Sequence, residues 1–142
     1  MVKEQSASRV YDVAVIGAGP AGLFATFYAG FRAMEVALFD SMPEVGGQLT
    51  ALYPEKYIYD VAGFPRVRAK ELVARLYEQA IYYNPDIFLE QQVKELERLS
   101  DGTYRLGTAA ADYRTRTVII AAGLGSFSPR RLESGNIPRW EG

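Results

Sequence analysis

Val13-Ala14-Val15-Ile16-Gly17-Ala18-Gly19-Pro20-Ala21-Gly22 decides the fold of this chain. A short apolar run, rich in β-branched residues, stops at a glycine, and a helix-compatible run begins beside Pro20. Each glycine has a separate task in such a turn. Gly17 permits the abrupt change of direction. Gly19 lets backbone approach a pyrophosphate, and Gly22 lets the helix pack closely on the strand. Pro20 and Ala21 open the helix, where a missing N–H costs little. The free N–H groups and partial positive charge of that helix end suit an anion.

Working outward, residues 11–16 predict a buried strand, 20–33 a helix and 35–39 a second buried strand, a right-handed βαβ unit with parallel strands. The second strand ends at Asp40, eighteen residues beyond Gly22. That is where a dinucleotide fingerprint needs an acid to accept hydrogen bonds from the adenosine ribose. The negative charge of Asp40 would repel a 2′-phosphate, so NADP is disfavoured here. The turn and its acid alone serve NAD as well as FAD.

Residues 41–67 hold many turn formers and aromatics with no clean period, and so long a loop in a compact domain is usually functional. Residues 70–83 predict an amphipathic helix, with Tyr77, Tyr82 and Tyr83 as packing residues, and 87–89 a short strand. The runs 93–99 and 103–108 flank Ser100-Asp101-Gly102 and predict a hairpin, with a third short strand at 112–115. Residues 117–122 predict a buried strand whose small exit, Ala122-Gly123, lets backbone pass close to a cofactor. The expected fold is α/β: a three-layer Rossmann-like FAD/NAD(P)-binding domain with a small antiparallel β-meander.

Composition narrows the chemistry. The 142 residues are 49% hydrophobic, enough for a core, and the net charge of −1 gives no electrostatic footprint for nucleic acid. With no cysteine and no histidine, the chain supplies no thiolate nucleophile, no disulfide and no His or Cys metal ligand. Redox chemistry would therefore fall to a bound cofactor. The apolar stretch 13–39 is interrupted by Arg32 and Glu35 and contains the glycine turn, so no membrane span is expected. A cytoplasmic location is the default expectation.

The loop after Asp40 adds a second motif. Gly46-Gly47-Gln48-Leu49 suggests backbone packed tightly against something, with the Gln48 amide placed to hydrogen-bond it. This motif, with Tyr53-Pro54-Glu55-Lys56-Tyr57-Ile58-Tyr59-Asp60-Val61-Ala62-Gly63-Phe64-Pro65, resembles the thioredoxin-reductase-like ferredoxin–NADP reductases, and the likeness runs from about Tyr11 to about Arg131. The resemblance implies FAD as cofactor, with Gly47, Gln48 and Leu49 beside the flavin and Tyr53 stacked on the isoalloxazine. It also implies that the Val93 backbone reads the adenine, that Phe127 lines the flavin pocket and that Asp60 lies near the flavin. Tyr57, Tyr59 and Phe64 are read as core or loop packing instead.

Polar residues 1–9 read as a flexible tail, and Pro129, Gly135, Pro138 and Gly142 give 129–142 the composition of a linker. The resemblance makes 10–128 the first portion of a discontinuous FAD domain, with the linker leading towards an NADPH-binding domain. It implies electron transfer from NADPH to ferredoxin or a flavodoxin-like carrier, by a homodimer in full-length form. Glutathione-reductase-like enzymes carry a cysteine pair just after the glycine pair, which this chain lacks. Thioredoxin reductases place theirs in the NADPH domain, so they stay open as an alternative. A nucleotide-binding module without turnover is the third reading.

Overall fold

β-Branched side chains pack well on a pleated surface. The computed structural model, which describes residues 9–125, places Val10–Ile16 inside a six-stranded sheet as strand β1. Helix α1 (Pro20–Phe31) and strand β2 (Val36–Phe39) follow. Next come a four-residue helix α2 (Gln48–Ala51), a hairpin of β3 (Tyr57–Ile58) and β4 (Val67–Arg68), and helix α3 (Ala69–Ala80), which continues into a 3-10 turn at Ile81–Tyr83. Strands β5 (Asp86–Phe88), β6 (Glu95–Arg98), β7 (Tyr104–Gly107) and β8 (Asp112–Ile120) complete the order. The sheet runs β5-β2-β1-β8-β7-β6, parallel as far as β8 and antiparallel beyond it.

Alternation along β2 assigns its two faces. Val36 and Leu38 pack with Val13, Val15, Leu23 and Ala80 on the side of α1 and α3. Ala37 and Phe39 pack with Ala14, Leu106 and Tyr113 on the other side, so the meander covers the face that the helices leave bare. The Phe39 ring stacks on Phe88 at 4.9 Å and meets Tyr113 edge-on at 4.8 Å. These are the expected three layers: helices, parallel sheet and meander. At the amino end of the sheet, Tyr11 Oη donates to Asp86 Oδ2 at 2.8 Å, and the same oxygen accepts from Arg9 Nη1 at 2.6 Å. Burial, then the bond to Asp86, push the Tyr11 phenol above its ordinary pKa.

Five sequence expectations change. Helix α1 ends at Phe31 rather than residue 33, because Ala33 adopts φ 59° and cannot continue a right-handed helix. The loop 41–67 contains α2 and the β3–β4 hairpin. The expected separate strands 112–115 and 117–122 are one strand, since its polar residues are satisfied across β1: Arg116 Nη1 donates to Asp12 Oδ1 at 2.6 Å, and Thr117 Oγ1 to the Asp12 carbonyl at 2.7 Å. Nor is the end of that strand buried. β7 pairs with β8 only as far as Thr115, and Ile120 is 70% exposed. Tyr77 and Tyr82, expected to pack, are exposed, whereas the half-exposed Tyr83 does pack, its ring lying against Gly30, Phe27 and Phe31 of α1.

Residues 1–8 of the expected tail, Phe127 and the linker 129–142 lie outside the described residues. No helix among the described residues is long and apolar enough to cross a membrane.

Candidate cofactor site

The carboxyl ends of β1, β2 and β8 meet where the chain leaves β1 for opposite neighbours, the topological switch point at which open α/β sheets bind ligands. A cavity of about 510 Å³ opens there. Its size suits a small-molecule or cofactor site.

The glycine turn forms one wall. Gly17 has φ 105°, and its N–H donates to the Phe39 carbonyl at 2.7 Å. A Cβ on Gly17 would sit 2.4 Å from the Ala121 carbonyl oxygen, so the turn threads between β2 and the exit of β8. Gly22 is packed against the turn itself: a Cβ there would lie 1.7 Å from the Gly17 carbonyl oxygen. Gly19 differs from both. A Cβ on it would meet nothing within 4 Å, and its residue lines the cavity with Pro20 and Ala21. Space is therefore kept open at the amino end of α1, where free helix N–H groups suit an anion.

Asp40 holds the turn from the side. Its Oδ2 accepts from the Ala18 N–H at 2.6 Å and its Oδ1 from the Met42 N–H at 2.9 Å. A carboxylate has about four lone-pair sites, so these two bonds leave accepting capacity on a residue that lines the cavity. The acid thus shapes the turn as well as lining the cavity, a task the motif alone did not reveal. Asp40→Asn should therefore lower the stability of the chain by roughly 1–3 kcal/mol, because an amide cannot accept from both N–H groups without aiming its own NH₂ at one. FAD affinity should fall by a further 1–2 kcal/mol or so. Urea unfolding and titration calorimetry separate the two losses, and an unchanged unfolding midpoint would rule out the clamp.

The glycine pair explains itself against the same turn. Gly46, at φ 109°, donates its N–H to the Ala18 carbonyl at 2.8 Å. A Cβ on Gly47 would come 3.4 Å from the Gly19 Cα, so the loop is laid directly on the turn. This starts α2 at Gln48, whose amide nitrogen lies 3.9 Å from the Cβ position of Gly123. Gln48, Leu49 and Tyr53 line the cavity on that side, with Ala122 and Gly123 beyond. Lys56 Nζ lies 5.2 Å from the centroid of the Tyr53 ring.

The remaining wall comes from the loop after β5, where Val93 reaches the cavity together with Gln91 and Gln92. Backbone bonds fasten this loop: Gln91 N–H to the Asp40 carbonyl at 2.8 Å, and Glu90 N–H to that of Met42 at 3.0 Å. Met42, Gln91 and Gln92 were not singled out in the sequence. Their signal is positional: they follow the carboxyl ends of parallel strands. Of the sequence-derived site residues, Gly17, Gly19, Pro20, Ala21, Asp40, Gly47, Gln48, Leu49, Tyr53, Val93, Ala122 and Gly123 come together on this cavity. Gly22 supports it from behind. Asp60 is exposed and lies off the cavity wall. Among the described residues no cluster of acidic side chains is arranged to hold a metal ion.

These residues fit the adenosine-diphosphate half of a dinucleotide: open space at Gly19, free helix N–H groups, and the Asp40 carboxylate and Val93 on the cavity wall.

Comparison with known proteins agrees with this geometry. Residues 11–139 match the family model described as pyridine nucleotide-disulphide oxidoreductase. Among curated relatives, the chain is 54% identical to ferredoxin–NADP reductase 2 of Oceanobacillus iheyensis, over 95% of its own length and 42% of the relative. It is 56% identical to ferredoxin–NADP reductase of Geobacillus thermodenitrificans, over 94% of its length and 40% of the relative. Among solved structures, thioredoxin reductase from Streptococcus pyogenes superimposes with a TM-score of 0.72 at 28% identity, covering 87% of this chain and 38% of that one. A ferredoxin-flavin thioredoxin reductase from Clostridium acetobutylicum gives 0.70 at 29% identity, covering 85% and 40%. The chain thus spans about two fifths of the relatives it matches. A match over residues 11–139 takes in nearly all of it, and the chain belongs to the pyridine nucleotide-disulphide oxidoreductase family.

Proposed function

We propose that this chain is the FAD-binding portion of a cytoplasmic ferredoxin–NADP reductase, which carries electrons between NADPH and ferredoxin or a flavodoxin-like protein. The observation that carries the reading is the cavity at the carboxyl ends of β1, β2 and β8, with open space at Gly19 and an acid at Asp40. Identities of 54% and 56% to ferredoxin–NADP reductases, against 28% to a thioredoxin reductase, support ferredoxin chemistry over disulfide chemistry. Bound FAD would supply hydride acceptance and one-electron release. The chain's own residues bind and orient. The α1 amino end takes the pyrophosphate, Asp40 the ribose, Val93 the adenine, and Gln48 and Tyr53 the flavin side. Phe127 would join that pocket, and Asp60 would stand near it. NADPH binding belongs to a further domain, and the working assembly is a pair of full-length chains.

Thioredoxin reductase is the second reading, favoured by the structural neighbours. A Cys-x-x-Cys beyond residue 142 would decide for it.

The test uses the chain joined to its natural continuation. That protein should reduce ferredoxin with NADPH. Tyr53→Ala should alter its flavin spectrum and weaken FAD binding by about 1–3 kcal/mol, the scale of a lost stacking platform. An unchanged spectrum and affinity would remove Tyr53 from the flavin. The 142-residue chain with added FAD should oxidise NADPH no faster than free flavin, since a misplacement of about 1 Å can cost a hundredfold.

A further inference from the structure

The cavity wall that follows β5 carries a side-chain amide whose orientation is fixed by its neighbours. Thr108, in the turn between β7 and β8, has its Oγ1 2.9 Å from Gln91 Oε1. The same Oγ1 accepts from the Ala110 and Ala111 N–H groups, each at 3.2 Å. A hydroxyl has two acceptor positions and one proton. Both acceptor positions are taken, and only the proton is left for Gln91. An amide NH₂ turned towards Thr108 would find no lone pair, so the group held there is the carbonyl oxygen. The Ala111 carbonyl, also 2.9 Å from this hydroxyl, already accepts the Thr108 N–H at 3.0 Å. Pinned by its oxygen, Gln91 has only its Nε2 hydrogens to offer a ligand, and it stands half-buried on the cavity wall.

The sheet order decides which part of a ligand that donor meets. β5 lies beyond β2, on the side away from β1. The amino end of α1 follows β1, Asp40 follows β2, and Gln91 follows β5 with its N–H on the Asp40 carbonyl at 2.8 Å. A nucleotide laid along these strand ends, with phosphates at α1 and ribose at Asp40, puts its base at the loop after β5. We propose that Gln91 reads this base, donating from Nε2 to N1 of adenine, and that Thr108 is the positioning residue that sets the amide. At N3 and N7 every purine accepts, so a locked amide would select nothing there. N1 is an acceptor in adenine and an N–H donor in guanine and hypoxanthine. A donor that cannot turn is matched by the first and opposed by the other two, and a site built for one hydrogen-bonding pattern rejects its reverse.

The assignment rests on the reading of the cavity as an adenosine-diphosphate site. Calorimetric titration of the 142-residue chain with ADP and with inosine diphosphate, whose base is hypoxanthine, tests it. The parent chain should bind ADP about tenfold more tightly or better, the scale of one hydrogen bond replaced by two opposed donors. Gln91→Glu puts an acceptor where the donor was, while Thr108 can still hold its other oxygen, and should abolish or reverse the preference. Thr108→Val frees the amide to turn. Inosine diphosphate should then bind this variant more tightly than it binds the parent, while ADP loses affinity. A role for Thr108 in shaping the turn alone would weaken both nucleotides alike. Equal affinities in the parent would overturn the assignment. So would an unchanged preference in Gln91→Glu, which decides the matter even if Thr108→Val does not fold. A parent that binds neither nucleotide overturns the cavity reading and the assignment with it, whereas a parent that binds ADP keeps the cavity reading whatever the variants show.

Discussion

Gly22→Ala is expected to destabilise the chain by about 3 kcal/mol or more, a large share of the stability of a domain of this size. The added methyl would lie 1.7 Å from the Gly17 carbonyl oxygen and 2.9 Å from its carbon. Both are backbone atoms, so no side chain can rotate away. Gly17 cannot retreat either, because its N–H is held by Phe39 and Ala121 stands behind its Cα. Relief comes only by lifting α1 off β1, and that strips Leu23 from Val15 and Leu38 in the main core. Loss of the cooperative urea transition, or a large fall in its midpoint, is the expected result. A midpoint equal to that of the parent would show that α1 does not sit on the turn as described.

Gly19→Val should give the opposite signature: stability within about 0.5 kcal/mol of the parent, and FAD affinity reduced at least a hundredfold. Gly19 has φ −70°, which any residue adopts, and a Cβ there meets nothing within 4 Å. The fold therefore tolerates a side chain. The empty space, however, is the cavity at the amino end of α1, and an isopropyl group would fill the approach to the helix N–H groups. Losing charge-assisted bonds to a pyrophosphate removes roughly 3 kcal/mol or more, which is the hundredfold. Unfolding and flavin titration of one purified sample read both arms. Unimpaired binding would mean that no phosphate passes Gly19.

The contrast between these two glycines shows how much of the site was legible in advance. The Gly17–Gly22 turn and Asp40 belong to contiguous motifs whose spacing carries their meaning, and the structure brings them together on one cavity. The second task of Asp40, clamping Ala18 and Met42, was invisible because it depends on where two loops lie in space. Gln91 and Gln92 escaped for a related reason: their loop is fastened by backbone bonds, which leave no side-chain pattern. The β3–β4 hairpin has only two residues in each strand, too few to show a period. The end of β8 is exposed despite an apolar sequence. Val118-Ile119-Ile120 has the composition of a core strand, but burial needs a neighbour on both sides, and among the described residues β8 has only β1 beside its last turn of chain. The same distinction governs α1: its helical, apolar character was plain, whereas which half of it faces outward required the fold.

The central claim is that the cavity holds the adenosine-diphosphate half of FAD. Equilibrium titration of the 142-residue chain with FAD and, separately, with FMN tests it most directly, because FMN keeps the flavin and lacks that half. The account predicts weak, saturable FAD binding that is lost on dilution, is displaced by ADP, and has no FMN counterpart. Equal binding of FMN, or no FAD binding at all, would contradict it.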